Sequence, residues 1–234
     1  MIIIKNSEQL KLMREAGRIT AEALMVAKEA IRPGLSTKEL DKQIQRYIEK
    51  CGATPTFLGY HGFPGSACIS INDEVIHGIP SDKIIIKEGD IVKVDVGARF
   101  RGYNGDSART FAVGKVSDEA LRLISVTEQS FYEAMKVARP GYRIGDIGHA
   151  VESLTLLCVG AELHEEPEIP NYGREGRGAR LYPGMTLAIE PMVNAGTDKV
   201  KVRRDGWTVT TADGKLSAHY ENSIAITVNL ILLL

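Results

Sequence analysis

Residues 90–114 read DIVKVDVGARFRGYNGDSARTFAVG, two strand-like runs joined by a segment rich in turn residues. The first run, Ile91–Val96, is rich in valine and ends near Asp95. The chain returns through Asp106 into a second run, Thr110–Val113, so we predict an antiparallel hairpin with a carboxylate on each arm. An unpaired carboxylate among buried valines is costly, and Asp95 therefore needs a cationic partner.

Two helices are predicted before this hairpin. Ser7–Ala30 has apolar residues at helical spacing, with its first residue as the N-cap, and it ends at Arg-Pro-Gly, residues 32–34. Ser36 caps a second helix, Thr37–Cys51, and Glu39 completes a capping box. The first half of the chain therefore reads as two helices followed by strands.

The same order of elements recurs after the hairpin. A helix at Leu121–Ala138 ends at a second Arg-Pro-Gly, and a short helix follows around Ile147–Leu154. Two strand-like runs come next, Thr186–Ile189 and Ser223–Thr227. The two Arg-Pro-Gly segments are 107 positions apart, which indicates an internal repeat. We predict one α+β catalytic domain, residues 1–234, with halves of about 1–115 and 116–234 around a shared antiparallel sheet.

The repeat also predicts that four carboxylates meet. Glu190 follows one strand of the second half and Glu221 begins another, much as Asp95 and Asp106 lie at strand edges in the first half. Clustered carboxylates that bridge two ions are typical of two-metal hydrolases, so we favour a divalent metal site. The alternative partners are three arginines nearby in the sequence, Arg99, Arg101 and Arg109.

Composition narrows the class of protein. With 29 basic and 30 acidic residues the formal net charge is −1, so no overall basic field favours nucleic acid or anionic lipid. Three widely spaced cysteines do not form a disulfide framework or a zinc motif, and they favour a reducing compartment. No signal-peptide pattern is present, and the apolar tail at 228–234 is too short to span a bilayer. We expect a cytoplasmic protein.

Longer motifs carry a family resemblance. Besides the hairpin segment they are INDEVIHGIP (71–80), LHEEPEIPNYG (163–173), LYPGMTLAIEPMVNAG (181–196) and DGWTVTTADGKLSAHYENSIAIT (205–227). Together they resemble the type I methionine aminopeptidases, from the first helix to about Thr227. The resemblance implies the pita-bread fold, in which two pseudo-symmetric halves surround a curved antiparallel sheet with helices on the outside.

The resemblance also implies a site with two divalent metal ions. Asp95 is expected to chelate one ion, and Asp106 and Glu221 are expected to bridge both. Glu190 is expected to bind the other ion and to act as the proton shuttle. Carboxylate ligands with one imidazole accept Co, Mn, Fe, Zn or Ni, so the metal is not specified.

Two histidines and a pocket are implied in the same way. His77 is expected to contact the peptide nitrogen of the substrate, and His164 is expected to polarise the scissile carbonyl. His61 is left open between the pocket rim and a structural role, and His149 and His219 are expected to be structural. The residues expected to bind the methionine side chain are Tyr60, Phe63, Cys68, Leu163 and Trp207, with Phe57 nearby.

The implied activity is removal of the initiator methionine from nascent polypeptides, with a preference for a small second residue. The expected setting is a monomer that works at the ribosome and requires no nucleic acid. Two alternatives stay open: a proline-specific peptidase of the same fold, and a weakened or inactive relative that acts as a binding protein. Proline-specific peptidases of this fold usually carry a long extra N-terminal domain. The nearly neutral net charge argues against a binding protein that associates with nucleic acid.

The chain departs from the family at one metal ligand. The family normally has a histidine in a Gly-His-Gly-Ile-Gly segment before His-Glu-Glu-Pro, whereas residues 158–163 read CVGAEL. From Gly34 to Asp95 is 61 positions and from Gly141 to Glu190 is 49, so the second half is 12 shorter. The explanations are a natural variant with a weakened second metal site, an inactive relative, or a normal enzyme with a segment absent or misread in the recorded sequence. We favour the last, or an engineered form.

Taken literally, the sequence predicts that one ion binds firmly, that the second binds poorly, and that Met-Ala-Ser is cleaved slowly.

Overall fold

The structure is a computed structural model of the 234-residue chain, and it describes residues 2–155, 171–228 and 231–234. The helices are Ser7–Ala30 (α1), Thr37–Lys50 (α2), Asp118–Val137 (α3) and Ile144–Thr155 (α4). The strands are Thr54–Pro55 (β1), Ala67–Ile71 (β2), Glu74–Ile76 (β3), Ile91–Phe100 (β4), Tyr103–Ala112 (β5), Thr186–Ile189 (β6), Met192–Asn194 (β7), Val200–Val202 (β8), Val209–Thr211 (β9), Ser217–His219 (β10), Glu221–Ile226 (β11) and Ile231–Leu233 (β12). A 3₁₀ turn, Tyr60–Gly62, lies between β1 and β2. Within these described ranges, no helix is long and apolar enough to cross a membrane.

The first two helices begin at the predicted residues, although the predicted cap of α1 is wrong, whereas α3 and α4 each begin three residues before the predicted Leu121 and Ile147. Ser36 and Glu39 form the predicted capping box of α2, with the Glu39 N–H donating to Ser36 Oγ at 3.1 Å. The expectation that Ser7 caps α1 is wrong, because Asn6 is the N-cap and its Oδ1 accepts from the Gln9 N–H at 3.0 Å. An asparagine oxygen one residue earlier satisfies the same free helix N–H group.

The predicted hairpin is formed by β4 and β5, and it is longer than the sequence suggested. All ten residues of each strand are paired antiparallel. The predicted first strand ended at Val96, but the strand continues through Gly97. A Cβ at Gly97 would lie 2.8 Å from the Phe57 ring and 2.9 Å from Thr56, so glycine is used here for close packing.

A seven-stranded antiparallel sheet connects the two halves of the chain. Its order is β1-β4-β5-β11-β12, with β2 paired to β4 and β6 paired to β11. The halves meet where β5 pairs with β11, through the registers Glu221↔Ala108 and Asn222↔Ser107. The predicted shared antiparallel sheet is therefore confirmed, and residues 231–233 of the apolar tail form its edge strand β12.

The two largest apolar clusters lie one on each half of the chain. In the first, α1 and α2 bury Ile19, Leu40 and Ile44 with residues of β2 and β4. In the second, α3 and α4 bury Phe131 and Ile147 with residues of β6 and β11. Each fully buried side chain of this size contributes about 1.5–3 kcal/mol of hydrophobic free energy. Each half therefore has a core of its own that supports its strands.

Two close contacts attach neighbouring elements to the hairpin. Gly105 on β5 lies against α1, where a Cβ would come within 2.4 Å of the Gly17 nitrogen. Lys93 on β4 is 1% exposed, and its ammonium donates to the carbonyl oxygens of Asn72 at 2.7 Å and Ser217 at 2.9 Å. Burial lowers the pKa of Lys93 to about 7. These contacts fix α1 and β10 around the strands that carry the predicted site.

Candidate metal centre

The sheet register brings three carboxylates to one face. Asp95 on β4 and Glu221 on β11 are Cα partners of Ala108 on β5, one on either side. Asp106 lies two residues before Ala108, and residues two apart on a strand point to the same face. Because Ala108 is small and buried, no bulky side chain separates the three carboxylates.

These three residues form what we call the oxygen cluster. One carboxylate oxygen each of Asp95, Asp106 and Glu221 lies within 4.8 Å of the others. Asp95 is 8% exposed, Glu221 is 3% exposed and Asp106 is half-buried. Oxygen ligands at this density are the ligands that divalent cations such as Mn²⁺ accept.

A second group, which we call the imidazole cluster, shares Glu221 with the first. One ligand atom each of Glu190, His219 and Glu221 lies within 4.8 Å of the others. Glu190 directly follows β6, which pairs with β11, and His219 ends β10 two residues before Glu221. His219 Nε2 lies 3.0 Å from Glu190 Oε1 and 3.9 Å from Glu221 Oε2. Four carboxylates and one imidazole thus meet where the two halves join.

His219 is the member of this site that sequence reasoning missed. The resemblance gave it no role, so it was expected to be structural. The signal available was its position two residues before Glu221 on extended chain, which puts both side chains on one face. The other two histidines without an assigned role, His61 and His149, are exposed and lie outside both clusters.

Burial and mutual repulsion disfavour the ionised carboxylates of the oxygen cluster. Desolvation first, and then the charge of the Glu190 carboxylate, raises the pKa of Asp106 to about 8. Desolvation first, and then the charge of Asp106, raises the pKa of Asp95 and of Glu221 well above the usual range. A divalent cation reverses this effect, because a nearby opposite charge favours the ionised form.

Three polar atoms of the clusters are buried without a hydrogen-bond partner in the described residues: Asp95 Oδ1, Asp106 Oδ1 and His219 Nε2. The separation of His219 Nε2 from Glu190 Oε1 is short, but its geometry is not that of a hydrogen bond. Buried polar atoms are almost always satisfied, so these three require another partner. A set of carboxylates and one imidazole fits Co, Mn, Fe, Zn or Ni.

The simpler alternative, in which arginines neutralise the clustered carboxylates, is not supported. Arg99 and Arg101 are exposed. Arg109 donates to the backbone carbonyl oxygens of Ala108 at 2.7 Å and Glu221 at 2.6 Å. In the described part of the chain, no lysine or arginine forms an ion pair with a carboxylate of either cluster.

Several predicted substrate-binding residues lie close to one another or to the oxygen cluster. Phe63 is 3% exposed and meets the Trp207 ring edge-on, with the centroids 5.1 Å apart. The His77 ring lies 6.3 Å from Trp207 between centroids. Cys68 is the Cα partner of Asp95, and burial first and then the charge of that carboxylate raise the pKa of its thiol well above the usual range. The structure thus brings Phe63, His77 and Trp207 together and puts Cys68 against the oxygen cluster.

The remaining pocket residues are less tightly grouped. Tyr60 is 37% exposed, and its ring contacts the exposed His61 edge-on at 4.4 Å between centroids. Its carbonyl accepts from the Phe63 N–H at 2.8 Å, so it lies one turn away from the buried aromatic pair. Leu163 and His164 fall outside the described residues, and their roles stay predictions.

The His77 backbone has an uncommon conformation. Its φ is 58°, in the left-handed region that few non-glycine residues adopt. The next residue must be glycine, because a Cβ at Gly78 would lie 2.2 Å from the Ile69 carbonyl oxygen. Such strained positions are concentrated at functional sites, which agrees with the role expected for His77.

Comparison with known proteins agrees with the presence of metal-ligand clusters. The chain matches metallopeptidase family M24 over residues 11–228. A methionine aminopeptidase of Clostridium acetobutylicum is 49% identical over 238 residues, covering 97% of this chain and 95% of the relative. The crystal structure of methionine aminopeptidase from Rickettsia prowazekii has a TM-score of 0.96 at 38% identity, over 100% of this chain and 99% of that chain. The expected pita-bread fold is confirmed.

Two further points come from the comparisons. Prolidase from Pyrococcus furiosus has a TM-score of 0.76 at 22% identity, covering 99% of this chain and 64% of that chain, so it shares the fold alone. In the Clostridium alignment, 97% of 234 residues is about 227, so about 11 of the 238 positions have no residue in this chain. That number is close to the 12 positions by which the second half is shorter than the first.

Proposed function

Since the chain belongs to metallopeptidase family M24, among its methionine aminopeptidases, we propose that the oxygen and imidazole clusters hold two divalent metal ions that serve to remove the N-terminal methionine. The observation that carries this proposal is Glu221, which belongs to both clusters. A shared carboxylate is what a dinuclear site requires, because one side chain must reach two ions about 3.5–4 Å apart.

Hydrolysis in this proposal needs a water nucleophile and a residue that transfers its proton. The ions, when bound, supply a water nucleophile of lowered pKa and polarise the scissile carbonyl. Glu190 takes the proton from the attacking water and delivers it to the leaving amine, which is general acid–base catalysis. Its partial exposure, 32% for the side chain, supports access to both water and substrate.

Two histidines orient the substrate in this proposal. His77 contacts the nitrogen of the scissile peptide, and His164 donates to the carbonyl oxygen as negative charge develops there. Phe63, Trp207 and Cys68 accept the methionine thioether, since sulfur packs well against aromatic edges. The contact of Phe63 with Trp207, and of Trp207 with His77, supports a pocket that ends beside the catalytic groups.

The domain organisation, the cellular setting and the oligomeric state are also proposals. We propose one catalytic domain, residues 1–234, whose halves divide near residue 115. We propose that it acts as a cytoplasmic monomer on nascent polypeptides at the ribosome, without nucleic acid, and that it prefers a small second residue. The metal among Co, Mn, Fe, Zn and Ni is not specified by the ligand set.

The experiment that tests the function is a cleavage assay with Met-Ala-Ser in the presence of each metal in turn. Replacing Asp106 or Glu221 by alanine should abolish two-metal occupancy and turnover, because each is expected to bridge both ions. Replacing His77 or His164 by alanine should lower kcat by roughly 10²-fold or more with metal content unchanged.

The control is Asp82→Asn, at an exposed carboxylate outside both clusters, which should behave like the parent. Two tightly bound ions in either bridging variant would refute the metal assignment. Cleavage of Xaa-Pro dipeptides in place of Met-Ala-Ser would refute the substrate assignment.

A further inference from the structure

We propose that His219 is the imidazole ligand of the second metal ion and replaces the histidine that the family normally supplies from another segment. The inference rests on the proposed function, since it concerns a ligand of the same dinuclear site. It changes the expectation drawn from the sequence alone, under which the second ion binds poorly.

The sequence leaves few sources for an imidazole. The chain has five histidines, at positions 61, 77, 149, 164 and 219. His61 and His149 are exposed and lie outside both clusters. His77 and His164 are proposed to contact the substrate. His219 is therefore the histidine left to bind the metal.

The geometry of the imidazole cluster fits an ion. His219 is 1% exposed, and its Nε2 is buried without a hydrogen-bond partner among the residues that the structure describes. Ligand atoms bound at about 2.0–2.2 Å to a common ion lie roughly 3–4 Å from each other. The distances from His219 Nε2, 3.0 Å to Glu190 Oε1 and 3.9 Å to Glu221 Oε2, fall in that range.

The His219 backbone is held from both sides. Its N–H donates to Thr110 Oγ1 at 2.8 Å, and its carbonyl accepts from the same hydroxyl at 2.8 Å. On the other edge, His219 is the Cα partner of Met192 on β7. The backbone of His219 is therefore held in a buried position before any cation binds.

The alternative role for His219 is to donate a hydrogen bond to Glu190 or Glu221 and to position these carboxylates without binding a metal. In that case Nε2 carries a proton when the metals are bound. If His219 is a ligand, Nε2 carries the metal and the proton is on Nδ1. The two roles differ in a property that can be measured without any turnover.

The test uses full-length protein labelled with ¹⁵N at histidine, titrated with Zn²⁺ and followed by ¹H–¹⁵N spectroscopy. The His219 Nε2 resonance should move to the metal-coordinated range as the second equivalent binds. In parallel calorimetry, His219→Gln should keep the first ion and weaken the second by more than the roughly 10–100-fold that loss of an outer partner costs. His149→Gln and His61→Gln are the matched controls and should keep both ions.

An Nε2 that stays protonated with two ions bound would overturn this inference and leave the proposed function standing. Second-ion affinity in His219→Gln equal to that of the parent would do the same. Failure of the parent to bind a second ion would overturn both proposals. Should His219→Gln not fold, the spectrum of the parent protein still decides, because it requires no substitution at this position.

Discussion

The Thr110 hydroxyl offers a way to disturb His219 without touching its ring. Thr110 Oγ1 accepts the His219 N–H and donates to the His219 carbonyl, both at 2.8 Å. Thr110→Val keeps the shape of the side chain and removes both hydrogen bonds. Thr110→Ser keeps both hydrogen bonds and removes one methyl group.

The magnitude follows from the two backbone groups left without a partner. Each unpaired buried polar group costs about 1–3 kcal/mol. Because Thr110 is half-buried, water reaches part of this site, and we expect a total loss of about 2–3 kcal/mol in the free energy of unfolding. Thr110→Ser should lose about 1 kcal/mol or less, the cost of one methyl group.

The second effect is on metal binding. Release of the His219 backbone frees its ring, so Thr110→Val should weaken the second ion by roughly 10–100-fold, as loss of an outer partner does. Urea unfolding in EDTA measures the first effect and Zn²⁺ calorimetry measures the second. Equal values for the valine and serine variants in both assays would refute the view that this hydroxyl holds His219 in position.

Three further predictions concern other parts of the molecule. The folded pKa of Lys93 is about 7 against 10.5 unfolded, so the unfolded state binds more protons between these values and stability rises with pH there. Because the raised pKa of Asp106, about 8, lowers the stability of both proteins over the same pH range, urea unfolding in EDTA should show the gain as a difference: the stability of the parent relative to Lys93→Met should rise by about 3 kcal/mol from pH 7 to 9.5, and equal pH profiles would contradict it. Gly105→Ala should cost about 1–3 kcal/mol or more, because its Cβ would meet the Gly17 backbone of α1 at 2.4 Å, and a melting temperature like the parent's would argue against that contact. Trp207→Ala should raise KM for Met-Ala-Ser with metal content unchanged, since its ring contacts Phe63 and none of the ligands; an unchanged KM would remove it from the pocket.

Much of the fold is predictable because its signals are local. The capping box at Ser36 depends on residues three apart, and both it and the stop at Gly34, with φ 91°, are as the sequence predicts. The N-cap of α1 is not, because Asn6 and Ser7 are both good caps and only the Gln9 contacts distinguish them. Local competition of this kind leaves the boundary of an element open by a residue.

The carboxylates of the candidate site are predictable for a different reason. Asp95 and Glu190 are charged residues at the ends of apolar runs, which is costly unless a cation is near. This cost can be recognised from the composition of a single strand, without knowing which strands pair. The register that brings Glu221 opposite Ala108 is a long-range property of the sheet, and no local pattern specifies it.

The composition of a single strand does not identify His219 as a ligand. It sits in Ser-Ala-His-Tyr-Glu, where a histidine has no ligand partner at helical or zinc-motif spacing. Its partner Glu190 is 29 positions away in the sequence and is brought near because β6 pairs with β11, which begins two residues after His219. Sequence spacing relates His219 to Glu221 alone, and its proximity to Glu190 depends on the pairing of β6 with β11.

The central claim is that one carboxylate, Glu221, joins two metal ions. Anomalous diffraction from crystals of the protein grown with Mn²⁺ tests it most directly. We predict two peaks about 3.5–4 Å apart, both within ligand distance of Glu221 and Asp106, one flanked by Asp95 and the other by Glu190. A single peak, or two peaks that Glu221 does not bridge, would contradict it.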